Sequence, residues 1–283
     1  MRNLCCAEST AARPRLAAVG LHLCYQDSPV IVDASVNLAA GQVVALVGPN
    51  GSGKSTLLRA LARLHRPARG QVILPDGTSA LGLSAKAFAR QVTLLAQSRP
   101  TPTGVSVRDV VGYGRHPYRG RWRGEDPGAA VAVAAAMDVT GVATMADRAV
   151  DELSGGELQR VWLATCLAQD TGVLLLDEPT TFLDLRYQVE ILDLVRDLAD
   201  EHGVAVGVVL HDLNHAAAVA DRVALLDSGR VRAFGTPHEV FTSEILTETY
   251  GIRVDVALDP TTRRLSTRPV GRHTHRPHWT VPV

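Results

Sequence analysis

Aromatic residues make up only 4% of this 283-residue chain, so alanine and branched aliphatics must do the packing, within an apolar share of 46% that is ordinary for a globular protein. Net charge is lacking as well: Lys plus Arg and Asp plus Glu number 29 each. Without a basic excess, the chain offers no electrostatic footprint for nucleic acid as its main partner. Nor can charge alone hold it on an anionic membrane. No uninterrupted apolar run is long enough to cross a bilayer. Met1 to Arg15 carries charges but no apolar centre of a secretion signal. Residence in the cytosol is therefore expected, and any service to a membrane requires docking onto a protein that spans it. Cys5, Cys6, Cys24 and Cys166 have neither zinc-site nor redox-motif spacing. Cys5 and Cys6 read either as a reactive pair or as reduced thiols in a frayed terminus.

The length suits one large α/β domain or two lobes sharing a core. Residues 1–15 read as a loose, Ala/Arg-rich leader. From Leu16, alternation through Val19, Leu21, Leu23 and Tyr25, then through Val30, Val32, Val36 and Leu38, predicts antiparallel strands with a turn at Gln26–Pro29. The apolar run Val43–Val47 predicts a buried strand, then a glycine-rich loop and a helix from Lys54 to about Leu64. Gln71–Leu74 opens another strand before the Asp76-Gly77 turn. Between Ser98 and Asp151 glycine and proline break the pattern, and the pieces between them read as helical, Gly128–Val139 most clearly. A helical lobe over about residues 98–168 is expected there. Strand Val173–Leu176, helix Leu185–His202, strand Val204–Leu210, helix Leu213–Val219 and strand Arg222–Leu226 then alternate, which implies a largely parallel sheet with covered faces. Residues 16–256 form the expected main domain and 257–283 an extension. Its end, Thr267–Val283, is rich in Arg, His and Pro and reads as disordered. Metal capture by His273, His275 and His278 is the alternative there. No internal repeat is present.

Three motifs carry chemistry. Gly48, Pro49, Asn50, Gly51, Ser52, Gly53, Lys54, Ser55 and Thr56 form a complete phosphate-binding loop between a buried strand and a helix. Its glycines let backbone N–H groups curl toward phosphate oxygens, and the helix adds the positive end of its dipole. Lys54 is placed to bridge the β- and γ-phosphates and Ser55 to ligate Mg2+. The second motif is Val173–Asp177 followed by Glu178 and Pro179: two carboxylates at the carboxyl end of a buried strand, where such sheets bind ligands. Asp177 suits a metal, and Glu178 suits the orientation and deprotonation of a water. Taken alone, the pair reads equally as a loop start or helix cap. The third is Leu153-Ser154-Gly155-Gly156-Glu157, which reads as a Ser-capped helix start or as a second anion site.

Together these residues resemble the ATP-binding cassette family, over about Leu16–Val256. The resemblance implies an α/β fold: a P-loop NTPase core of mainly parallel sheet with helices, an N-terminal antiparallel β subdomain and an inserted helical subdomain. It implies ATP hydrolysis with Mg2+, with Lys54, Gln97, Glu178 and His211 catalytic and Ser55, Gln97 and Asp177 at the metal. Tyr25 matches the aromatic that stacks on adenine. Ser154, Gly155, Gly156 and Glu157 match the signature loop that reaches the γ-phosphate held by a partner copy. Asp184 matches the acid that communicates across that dimer. Gln97 and His211 match the switch glutamine and histidine.

A finer resemblance, to importers of ferric siderophores, ferric dicitrate, haem and cobalamin, rests on Thr103–Pro117, Leu167–Thr171, Thr180–Gln188 and His211–Asn214. It implies import of an iron chelate, ferric siderophore foremost, with haem, cobalamin or a divalent metal as alternatives. Thr103–Pro117 is then either a permease-facing segment or a lobe-packing loop. Trp162 matches a position that is often aromatic in that branch and reads as packing. The implied partners are a second cassette, transmembrane permease subunits and, through them, a periplasmic or surface binding protein, with no nucleic acid. The implied place is the cytoplasmic face of the membrane. Two other classes are disfavoured: a soluble regulatory ATPase usually carries two cassettes, and a repair ATPase a long coiled-coil insertion, which no heptad run here supplies.

Overall fold

The computed structural model describes residues 14–26, 28–120 and 126–272. The described residues begin with β1 (Pro14–Tyr25) and β2 (Ser28–Ala39), antiparallel neighbours. β2 turns Ile31, Ala34, Val36 and Leu38 inward. The step from 31 to 34 breaks strict alternation, and Asp33, at φ +57°, takes up the extra residue where the β1–β2 register shifts. β3 (Val43–Val47) is buried at every position, as a strand covered on both faces must be. α1 (Lys54–Leu61) follows Gly53, whose φ of +98° aims the loop into the helix without a side-chain cap. This helix was expected to reach about Leu64. It ends earlier because Arg63 is left-handed (φ +59°), a conformation that no helix continues through.

β4 (Arg69–Ile73), α2 (Ala85–Ala89) and β5 (Val92–Leu95) lead into a helical lobe. The lobe contains α3 (Val107–Gly112), α4 (Ala129–Val139) and α5 (Gly155–Ala168). Its separate core includes Val107, Val110, Val133, Met137 and Val161. Gly114 lies so close to α5 that a Cβ would sit 2.1 Å from the Thr165 carbonyl oxygen. The chain returns through β6 (Val173–Asp177), α6 (Leu185–Asp200), β7 (Ala205–Val209), α7 (Leu213–Val219), β8 (Arg222–Asp227) and β9 (Arg230–Gly235). The last described elements are α8 (Pro237–Val240), α9 (Ser243–Tyr250), β10 (Val254–Leu258) and β11 (Leu265–Pro269).

Six strands form the central sheet in the order β5-β6-β7-β3-β8-β9, parallel except for β9, which runs against β8. A second sheet, β2-β1-β4, is antiparallel. One core lies between that sheet, α1 and a face of the central sheet. The other packs α6, α7 and the C-terminal elements on the opposite face. The fold is thus a P-loop NTPase core with an N-terminal antiparallel subdomain and an inserted helical subdomain.

Two expectations about the ends need correction. Pro14 and Arg15 belong to β1 rather than to a leader. Thr267 to Pro269 belong to β11 and pair with β10. They are held because Thr267 is buried and satisfied by a side chain from α7, a partner no local composition reveals. Cys5, Cys6 and the tail with His273, His275 and His278 lie outside the described residues.

Candidate active site

β3, β6 and β7 stop side by side, and the loops that leave their carboxyl ends carry the expected residues to one place. The loop after β3 is folded tightly against β8. Gly48 has φ +143°, and a Cβ there would lie 2.1 Å from the Leu226 carbonyl oxygen. At Gly53 a Cβ would meet Ile31 Cδ1 at 2.4 Å. These two glycines are therefore required by space as well as by φ. Lys54 curls back over the loop, and its Nζ donates to the carbonyls of Gly48 and Pro49, each at 2.9 Å. Burial lowers the pKa of its ammonium, and the nearby Glu178 and Asp177 carboxylates oppose that shift.

Ser55 lies in the first turn of α1, and its hydroxyl donates to Asp177 Oδ1 at 2.6 Å. Asp177 is 1% exposed. Its Oδ2 accepts no hydrogen bond and faces the Arg59 guanidinium at 3.6 Å. An unsatisfied buried carboxylate oxygen beside a serine hydroxyl is a hard-oxygen donor set, which fits Mg2+. Arg59 was not singled out from the sequence. The available signal was its spacing, one helical turn beyond Ser55 and so on the same face.

Glu178 follows β6 at φ +55°. It is a convergence point: Gln97 Nε2 donates to its Oε2 at 2.6 Å, Thr181 Oγ1 donates to the same oxygen at 3.2 Å, and His211 Nε2 lies 2.6 Å from Oε1. Gln97 arrives from the end of β5, and His211 from the end of β7. Glu178 and His211 line a cavity of about 220 Å3 with Asn50, Gly51, Gly53 and Lys54. Ser55 and Thr56 line it too. Tyr25, at the end of β1, is half exposed and meets His65 edge-on at 4.6 Å between ring centres. A larger cavity of about 600 Å3, walled by Val131, Ala135 and Val139 of α4, contains none of these residues.

The loop Leu153–Glu157 stands apart from this cluster. Ser154 caps α5, with its hydroxyl accepting from the Glu157 N–H while Glu157 Oε2 accepts from the Ser154 N–H at 2.8 Å. Those bonds and the Arg148 ion pair hold the Glu157 carboxyl below its ordinary range. Gly156 is packed under Tyr187, where a Cβ would touch the ring at 2.4 Å. Asp184 caps α6 by accepting from the Tyr187 N–H at 3.0 Å. Phe182 beside it is 98% exposed in a left-handed conformation. Among the described residues, none of the signature-loop side chains hydrogen-bonds to the loop Gly48–Thr56.

The family model described as ABC transporter matches residues 31–181, which contain the phosphate loop, the signature-like loop and the two carboxylates. The chain belongs to the ABC transporter ATP-binding cassettes. Its sequence is 42% identical to the ferric enterobactin transport ATP-binding protein FepC of Escherichia coli, over 93% of this chain and 97% of that one. It is 41% identical to the cobalamin import ATP-binding protein BtuD of Halobacterium salinarum, over 90% of this chain and 63% of that one. Among solved structures, a metal-chelate type ABC transporter in an inward-facing conformation superposes with a TM-score of 0.79 at 27% identity, covering 92% of this chain and 98% of that one. The cassette is an ATPase of the transporter type. Among its described residues, no helix is long and apolar enough to cross a membrane.

Proposed function

We propose that this cassette energises uptake of a ferric siderophore by hydrolysing Mg-ATP between two copies of itself attached to a membrane permease. The observation that carries the hydrolytic reading is the triple convergence on Glu178. A carboxylate held by hydrogen bonds from Gln97 and Thr181 and contacted by His211 is fixed in place to orient and deprotonate water for in-line attack on the γ-phosphate. Lys54 and the loop N–H groups neutralise the phosphates, Tyr25 stacks on the base, and Ser55, Asp177 and Gln97 hold Mg2+. That ion, when bound, draws charge from the β- and γ-phosphate oxygens. Gln97 and His211 report the state of the γ-phosphate to the lobe and to β7.

The distance in bonding between Ser154–Glu157 and the phosphate loop supports a head-to-tail pair, in which each copy presents its signature loop to the other's nucleotide. The exposed Phe182, with Leu185 beside it, supplies an apolar patch next to Asp184 for that contact. The segment after Gln97 is the permease-facing one. Its Tyr113 is exposed, whereas Gly114 and Arg115 are buried and serve the lobe's own packing. The permease holds the cassette on the cytoplasmic face of the membrane and receives cargo from a binding protein on the other side.

The siderophore reading rests on end-to-end similarity to a ferric enterobactin cassette, whereas the cobalamin relative extends well beyond this chain. Deleting the chain's coding sequence and feeding single iron sources tests it. Growth on ferric siderophore should fail while growth on haem or free iron salt persists. A strain that loses only cobalamin uptake, or only haem uptake, would refute the siderophore assignment.

A further inference from the structure

Asn214 closes the His211–Asn214 run, and nothing in the nucleotide site uses it. Its side chain instead reaches β11. The amide oxygen accepts from the Thr267 N–H at 2.7 Å and from the Thr267 hydroxyl at 3.1 Å. The amide nitrogen donates to the Thr267 carbonyl at 3.3 Å. Asn214 lies in the first turn of α7, directly after the loop that carries His211. Asp212 secures the same turn by accepting from the N–H groups of Asn214 and His215 at 2.7 and 3.1 Å. The helix that follows His211 is therefore clamped from within by Asp212 and from outside by β11.

β11 belongs to a larger bonded unit. α9 is tied to β10 by Ser243 Oγ, which accepts from the Val256 N–H, and by Thr247 Oγ1, which accepts from the Val254 N–H, both at 3.0 Å. β10 in turn pairs with β11 from Val254 opposite Pro269 to Leu258 opposite Leu265. One continuous, internally bonded piece thus backs the helix that follows His211.

We propose that α9, β10 and β11 form a brace behind α7 that sets the position of the loop carrying His211, with Asn214 as the positioning residue. This rests on the reading of the cavity as the ATP site. Asn214 does not touch substrate and acts through α7 on His211.

Steady-state ATP hydrolysis and thermal melting of the full chain test it. Asn214→Ala should lower kcat about tenfold and leave KM for Mg-ATP within about twofold, because the loop that binds the phosphates is untouched. Asn214→Asp keeps both accepting bonds but sets a carboxylate oxygen against the Thr267 carbonyl, so it should recover only part of the kcat lost in the alanine variant. Unchanged kinetics in Asn214→Ala would overturn the brace. So would losses in which kcat and KM move together and simply follow the melting temperature in both variants. If the unaltered chain, with its permease, released no phosphate from Mg-ATP, the fault would lie with the reading of the cavity and not with the brace.

Discussion

Glu178 adopts a backbone conformation that side chains with a Cβ rarely take, and it does so at the end of an otherwise regular buried strand. Strain of that kind persists only where the surroundings hold it, and here Gln97, Thr181 and His211 do. Glu178→Gln keeps the shape and the bond from Thr181 but removes the group that can take a proton. Turnover should fall at least 10²-fold, about the lower bound for losing a general base, with binding of a fluorescent ATP analogue unchanged. Ordinary turnover in that variant would remove Glu178 from the role. At this scale much was legible in advance. Lys54, Ser55, Asp177 and Glu178 announce themselves through glycine spacing and through two acids ending an apolar strand. Thr181 does not, because its bond to Glu178 depends on how the three-residue turn after β6 folds, and Arg59 does not, because its pair with Asp177 forms only once helix and strand are packed together.

Elements differ in how openly they declare themselves. β3, β6 and β7 are buried at every residue and read directly as apolar runs. β10 and β11 were missed because only Val254 and Thr267 of them are buried, and the short alternation Val254, Val256, Leu258 has no apolar counterpart in β11 to pair with. What holds them is the Asn214–Thr267 pairing, across a sequence separation of 53 residues. The phosphate loop shows a related limit: its glycines look alike in the sequence but not in space. Gly48→Ala must push a Cβ into the Leu226 carbonyl, while Gly51, at φ +79°, has nothing within 4 Å. Gly51→Ala should cost about 1 kcal/mol, the ordinary penalty for a left-handed alanine. Gly48→Ala should cost about 3 kcal/mol or more, from overpacking added to the same penalty. Urea denaturation of the two variants measures the difference, and equal losses would mean that the loop relaxes away from β8 freely.

Across the whole molecule, the helical lobe is attached to the core through the end of α5. Gln169 accepts from the Thr93 hydroxyl at 2.9 Å, tying α5 to β5, and Arg115 donates from Nη1 to the Ala168 carbonyl at 3.0 Å. Arg115 is buried, lies over the Tyr118 ring at 3.8 Å and pairs with Asp126 at 2.7 Å. With both side chains under 10% exposed, Asp126→Asn leaves a buried guanidinium without its counter-charge, which should cost about 3 kcal/mol at neutral pH. The hydrogen bond from Arg115 holds the Asp126 carboxyl below its ordinary range. A depressed folded-state value means that the stabilisation is fully present above the unfolded-state value of about 4. It is lost as pH falls through the lower folded-state value, where the wild-type carboxyl takes up its proton. The gap between wild type and Asp126→Asn in urea should therefore be widest near pH 7 and close as the solution is acidified below about pH 4. A gap that stayed constant down to pH 3 would show that the pair contributes shape rather than charge to the seam between lobe and core.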